Sequence, residues 1–144
     1  MSSMSIKQQS MNASDIIRNK LIEAGGTATI QMLQGKVFSI KITRDNRAFE
    51  TQKLPGVNYG FDVFDVIVDL LREQNGKAAK GHGRGKNNKL GQPGCELDTV
   101  VGAIAHRYAG RKLGESVFDP VFALAAILEW AEVCYNERGV LILR

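Results

Sequence analysis

A basic, glycine-rich segment is the part of this sequence whose residue types are best suited to bind an anion. Residues 75–94 contain six glycines and five Lys or Arg residues but no Asp or Glu. Cations spaced by flexible glycines can approach a phosphate backbone closely, and each neutralised phosphate releases counterions. Asparagine amides can bond to phosphate, sugar or base edges. We therefore predict a nucleic-acid or other polyanion site formed by Lys77, Lys80, Arg84, Lys86, Asn87, Asn88 and Lys89.

The same segment also fits a solvated linker, whose charges only keep the chain soluble. It does not fit a nucleotide-binding P-loop, which has four residues between its glycines and a Ser or Thr after its lysine. Only three residues separate Gly81 from Gly85, and Asn87 follows Lys86. We therefore predict no nucleotide cofactor.

Three aspartates, Asp62, Asp65 and Asp69, share one face of a predicted helix because they are spaced by three and four residues. Carboxylate oxygens are the ligands that Mg²⁺ prefers, so a nuclease-like metal site is one interpretation. A solvated face opposite an apolar stripe has the same spacing. We predict the solvated face and no metal site.

Cys95 and His106 are the candidates for nucleophilic catalysis, because a cysteine nucleophile needs a base. A helix that began at Cys95 would lower the pKa of its thiol. With His82 and Cys134, these residues are the only soft metal ligands, and none has the paired spacing of a zinc site. The alternative function is therefore a small enzyme whose loop closes over an anionic, phosphorylated substrate, with catalytic groups from Asp62, Asp65, Cys95 or His106.

Hydrophobic periodicity predicts the elements that would position these side chains. A short helix over Asp15–Ala24 precedes three strands, which begin near residues 28, 38 and 48 and alternate polar with apolar residues. Such alternation between turn residues is typical of an antiparallel meander. Two helices flank the basic segment, one over Phe61–Gln74 and one over Leu97–Tyr108, and a third helix spans Val121–Tyr135.

The chain ends in a predicted strand, Val140–Leu143, whose backbone would be unpaired if it stood alone. We place this strand beside the meander. The order is then α-β-β-β-α-loop-α-α-β, an α+β fold with a three- to four-stranded antiparallel sheet packed by helices. We predict one domain over residues 13–144, a flexible tail over residues 1–12, and a basic loop over residues 75–94 without a packed element. The first helix and hairpin only partly resemble a winged arrangement, because one short helix is not a helix-turn-helix.

The helix over Val121–Tyr135 is apolar nearly all round, with Glu129 and Glu132 as its charged residues. Such a helix belongs in the core or in an oligomer interface, so a homo-oligomer through this helix is one interpretation. We interpret Trp130 and Tyr135 as aromatics of the core and its rim rather than as a stacking platform.

Composition narrows the function classes further. The net charge is +4 and the pI is about 9.2, which permits a polyanionic partner. The longest apolar run, Val121–Leu128, is far shorter than the ~20 residues of a membrane span. Two cysteines and no secretory signal indicate a cytoplasmic protein with reduced thiols. We expect a non-enzymatic nucleic-acid-binding or nucleic-acid-associated module, with the enzyme above or a structural, protein-interaction subunit as alternatives.

Overall fold

The computed structural model describes residues 11–54, 58–83 and 88–144, so most of the predicted tail lies outside the described residues. The first element of the described residues is helix α1, Ala13–Glu23. Asn12 caps it, because its side-chain oxygen accepts the backbone N–H of Asp15 at 3.0 Å. This bond satisfies one of the N–H groups that a helix leaves free at its first turn.

The predicted meander is confirmed and has one additional strand. Its strands are β1 (Thr27–Gln31), β2 (Val37–Ile42), β3 (Ala48–Glu50) and β4 (Tyr59–Gly60), paired antiparallel in that order. One face of the sheet supplies apolar side chains to the core, as its alternating sequence predicts. Strand β4 has only two residues, too few to show an alternation of polar and apolar residues in the sequence. It forms because its backbone pairs with β3.

The C-terminal strand does not join the meander, contrary to the sequence prediction. Helix α2 (Asp62–Glu73) is followed by β5 (Lys77–Ala79), and two later strands, β6 (Cys134–Glu137) and β7 (Val140–Leu143), form a hairpin. These strands build a second antiparallel sheet in the order β5-β7-β6. The short turn between β6 and β7 places them side by side, and β5 covers the other edge of β7. The fold class is α+β, as predicted.

Two further boundaries differ from the sequence prediction. Helix α3 (Val100–Ala103) begins after the Thr99 cap rather than at Leu97, and continues as a π-helix over Ile104–Tyr108. Helix α4 (Val121–Trp130) ends five residues before Tyr135, which lies in β6. Glu132 has a φ of +60° in the intervening turn, a left-handed conformation that ends a helix.

One cluster of buried apolar side chains connects the two sheets and the four α-helices found in the described residues. Helix α2 contacts α1, α3, the π-helix, β5 and β7, so it lies at the centre of this cluster. The Tyr108 hydroxyl accepts the Gly60 N–H at 2.9 Å, which ties the π-helix to β4. Within the described ranges, no helix is long and apolar enough to cross a membrane.

Helix α4 is buried within this chain, in agreement with its nearly uniform apolar character. Only Phe122 and Glu129 are exposed along it, and Trp130 is partly exposed at its end. It contacts β1 on one side and β6 on the other. Lys20 of α1 donates to the Trp130 carbonyl at 2.5 Å, and its ammonium lies 4.7 Å from the centroid of the Trp130 ring. These contacts cover within one chain the apolar face that the homo-oligomer interpretation relied on.

Candidate functional site

Of the predicted basic residues, those that the structure describes, Lys77, Lys80 and Lys89, have different surroundings. Arg84, Lys86 and Asn87 lie outside the described residues, so their predicted role is not addressed by the structure. Lys77 lies in β5, where the alternation of exposed and buried residues places it on the outer face of the second sheet. The prediction that residues 75–94 contain no packed element is therefore wrong, because β5 pairs with β7 and buries Ala78.

Lys80 is half-buried, so it is not one of the exposed cations of the basic segment. Its ammonium donates to the side-chain oxygen of Asn136, a buried residue of β6. Its backbone N–H bonds to the Gly139 carbonyl at 3.0 Å, and its carbonyl accepts the Val101 N–H at 3.0 Å. Burial lowers the pKa of Lys80, while the Glu129 carboxylate opposes that shift. Lys80 therefore joins the second sheet to α3 rather than presenting a free charge.

Asn88 and Lys89 lie where the basic segment returns to the body of the protein. The Asn88 carbonyl accepts the Val117 N–H at 2.8 Å, and Lys89 forms an isolated antiparallel bridge with Ser116. Leu90 is buried beside Cys95 in a small second apolar cluster. The Lys89 side chain is exposed, so it remains available to an anion.

Two stretches of backbone, residues 81–83 and the turn at Gly94, lie in direct contact, and we call this contact the backbone crossing. The His82 N–H donates to the Gly94 carbonyl at 2.8 Å. Asp119 fixes the next residue, since one carboxylate oxygen accepts the Gly83 N–H at 3.1 Å and the other accepts the Val121 N–H at 3.0 Å. Asp119 thus holds the first turn of α4 and the basic segment together.

The proposed catalytic pair of Cys95 and His106 is not formed. The Cys95 thiol is buried and donates to the His82 carbonyl, with sulfur and oxygen 2.9 Å apart. Burial raises the pKa of this thiol, with smaller contributions from Asp119 and Glu96, the opposite of what a nucleophile needs. His106 is exposed, and its Nδ1 lies 3.0 Å from the Arg111 carbonyl. Helix α3 begins after its cap Thr99, four residues beyond Cys95, so Cys95 is not at a helix N-terminus.

The three aspartates lie along α2, with Asp62 and Asp69 exposed. Asp65 accepts the Ser14 N–H at 3.0 Å and so helps to cap α1. Among the residues that the structure describes, no three His, Cys, Asp or Glu residues come close enough to hold a metal ion. The solvated-face interpretation explains Asp62 and Asp69, and Asp65 has a structural bond that the sequence did not indicate.

The structure reveals a surface that sequence reasoning missed, the outer face of the second sheet. Lys77 of β5 is paired with Ile142 of β7, and Ile142 is paired with Tyr135 of β6. The side chain of Tyr135 is exposed, and the guanidinium of Arg144 lies 4.8 Å from the centroid of its ring. We call this group, Lys77, Ile142, Tyr135 and Arg144, the outer row.

The charges around the outer row are mostly positive. Lys77 lies at the β5 end of the outer row, the guanidinium of Arg144 lies over Tyr135 at its β6 end, and Arg138 lies at the turn of the β6–β7 hairpin. Glu137 is the acidic residue of β6 and belongs to the neighbouring row with Val140. The sequence signal for the outer row is weak, because Lys77 and Tyr135 are far apart along the chain and meet only through β7.

The buried side chains of Tyr59 in β4 and Cys134 in β6 predict a loss of stability at alkaline pH. Burial raises the pKa of Cys134 from 9.0 to about 12, and burial, with Tyr108 and Asp119, raises the pKa of Tyr59 from 10.0 to about 12. Above about pH 9 the unfolded chain therefore binds fewer protons than the folded protein, so the free energy of unfolding should fall as pH rises from 9 towards 12.

Denaturant titrations across this pH range should show the fall, and it should be shallower in Cys134→Ala and in Tyr59→Phe. Tyrosinate absorbance should also show one tyrosine of the native protein ionising late, and this late step should vanish in Tyr59→Phe or in denaturant. A native titration unchanged by Tyr59→Phe would contradict the assignment.

From α2 onward, the described elements run helix, strand, two helices and a hairpin, with the strands in the order β5-β7-β6. Helix α4 is apolar and mostly buried, so it has little surface to place in the major groove of DNA. Comparisons with protein-family models, curated proteins and solved structures found no match to this chain.

Proposed function

We propose that this protein is a nucleic-acid-associated module that binds its ligand on the outer row. The observation that carries the proposal is the stacking of Arg144 over the exposed ring of Tyr135, with Lys77 two strands away on the same face. Cations beside an accessible aromatic ring are the combination that nucleic-acid-binding surfaces use, because phosphates need positive charge and bases need a flat partner.

The basic segment supplies the second part of the proposed contact. Asp119 fixes Gly83, and the Asn88 carbonyl is bound to Val117, so both ends of residues 84–87 are anchored to the body of the protein. Arg84, Lys86 and Asn87 lie in that segment of the sequence, outside the described residues, and Lys89 after them is exposed. We expect these residues to add affinity for phosphates without sequence preference.

The test is a salt titration of binding to labelled oligonucleotides. Changing Lys77 and Arg144 together to Gln removes two phosphate contacts, so the slope of log K against log salt should flatten by about 1.8 on duplex DNA or about 1.4 on single strands. The matched control changes Lys36 and Lys41 to Gln. These lysines are exposed at the start and end of β2 in the other sheet, and the control lowers the net charge equally.

The control should keep the slope of the unchanged protein, because the contacts and not the total charge set it. Both double variants should unfold at the same temperature as the unchanged protein, since exposed charges contribute little to stability. Equal slopes for the two double variants, or no binding by the unchanged protein at low salt, would contradict the proposal.

A further inference from the structure

We infer that the ligand of the outer row is single-stranded nucleic acid, with an unpaired base stacked on the Tyr135–Arg144 pair. This inference rests on the proposed function and names its substrate class. Stacking needs a free base face, and in a duplex every internal base face is covered by its neighbours. An exposed ring on the surface of a sheet therefore has a partner in a single strand and almost none in a duplex.

The width of the outer row, which crosses three β-strands, favours a single-stranded nucleic acid over a duplex. Adjacent strands lie about 4.8 Å apart, so the row from Lys77 to Tyr135 spans roughly 10 Å and lies across three strands. The major groove of a duplex admits a helix or a two-stranded ribbon. A face of three strands is wider than such a ribbon, so a duplex could meet the hairpin near Arg138 but not the whole row.

Apolar side chains form the floor on which a base and its sugar would lie. Ile142 is half-buried between Lys77 and Tyr135, and Val140 is half-buried in the next row. The Arg144 guanidinium lies over the Tyr135 ring, 4.8 Å from its centroid, and Arg144 is exposed. A base can stack on a guanidinium plane as well as on an aromatic ring, and a phosphate can bond to the edge of the same group.

The charged residues on this face determine the path of the single-stranded nucleic acid across the sheet. Glu137 is paired with Val140 in the neighbouring row, where its carboxylate would repel a phosphate. Lys77 and Arg144 lie at opposite ends of the outer row, where each attracts one. The phosphate backbone should therefore run from β5 to β6 along the outer row, with the base stacked on the Tyr135–Arg144 pair.

The experiment measures the binding of a short labelled oligothymidylate, of the matching oligoribonucleotide, and of a duplex of equal length. Tyr135→Ala should weaken binding of the single strands roughly five- to 150-fold, the equivalent of one stacked base. The matched control, Tyr135→Phe, keeps the ring and should keep most of the affinity. Both variants should unfold at the temperature of the unchanged protein, because the Tyr135 side chain is exposed.

The possible outcomes separate this inference from the proposed function. Equal binding of a single strand by Tyr135→Ala and by the unchanged protein, with binding still lost on changing Lys77 and Arg144, would overturn the stacking but keep the surface. Duplex binding as tight as single-strand binding would also overturn the inference. If neither nucleic acid binds at low salt, the proposed function fails together with the inference.

Discussion

Leu124→Ala or Ile127→Ala should lower the free energy of unfolding by about 2–5 kcal/mol, because each change leaves a cavity that the surrounding structure fills only in part. Both side chains are fully buried in α4. This helix packs against β1 of the first sheet and β6 of the second, so a cavity here weakens contacts with both sheets at once. Chemical denaturation gives the loss as a lower midpoint at an unchanged slope.

Phe122→Ala is the matched control for both variants. Phe122 lies in the same helix but is 44% exposed, so its truncation removes less buried surface and creates no enclosed cavity. The expected loss is about 0.5 kcal/mol, as for an ordinary surface change. Losses of less than about 0.5 kcal/mol for both core variants would show that burial of α4 does not stabilise this chain.

Gly81→Ala should destabilise the protein by about 2–5 kcal/mol, the sum of backbone strain and a steric clash. Gly81 has a φ of +74°, a left-handed conformation that costs a residue with a Cβ about 1–2 kcal/mol. An added Cβ would also lie 2.4 Å from the Gly94 carbonyl oxygen and 2.7 Å from a Val101 methyl group. Relieving this overlap requires the crossing at His82 and Gly94 to open.

Gly110→Ala separates the two causes. Gly110 has a φ of +72°, but an added Cβ there would have no neighbour within 4 Å. It should therefore show only the strain of about 1–2 kcal/mol. The difference between the two variants, measured by thermal or chemical unfolding, reports the clash. Equal losses for the two variants would mean that the backbone crossing at Gly81 is loose enough to accommodate a side chain.

The second helix of the fold illustrates what sequence periodicity can predict. Its predicted range, Phe61–Gln74, differs from the observed Asp62–Glu73 by one residue at each end. The apolar stripe repeats every three and four residues, and Asn75–Gly76 ends it with two left-handed residues. The meander was predictable for the same reason, because alternation and turn residues are both local signals.

The sequence predictions that were wrong concern segments whose structure depends on pairing with a strand far away in the sequence, rather than on their own local pattern. Lys77–Ala79 has no strand propensity, and it becomes β5 because β7, about sixty residues later, needs a partner. Tyr135 continues the helical periodicity of α4, but pairing with β7 draws it into β6. The hairpin turn at Gly139, with a φ of +75°, fixes the pairing of the two strands.

Lys77 and Lys80 of the candidate site show the same difference between what the sequence predicts and what the tertiary structure decides. By itself, the sequence determined that residues 75–94 are rich in cations and that the helix from Val121 must be buried, in the core or in an oligomer interface, because charge and apolarity are properties of the side chains alone. Only the tertiary structure decided which cations face the solvent. Lys77 and Lys80 are equivalent in the sequence, but they are three residues apart along extended backbone, so they point to opposite faces of the sheet. Lys77 therefore reaches the outer row beside Ile142, and Lys80 turns inward to Asn136.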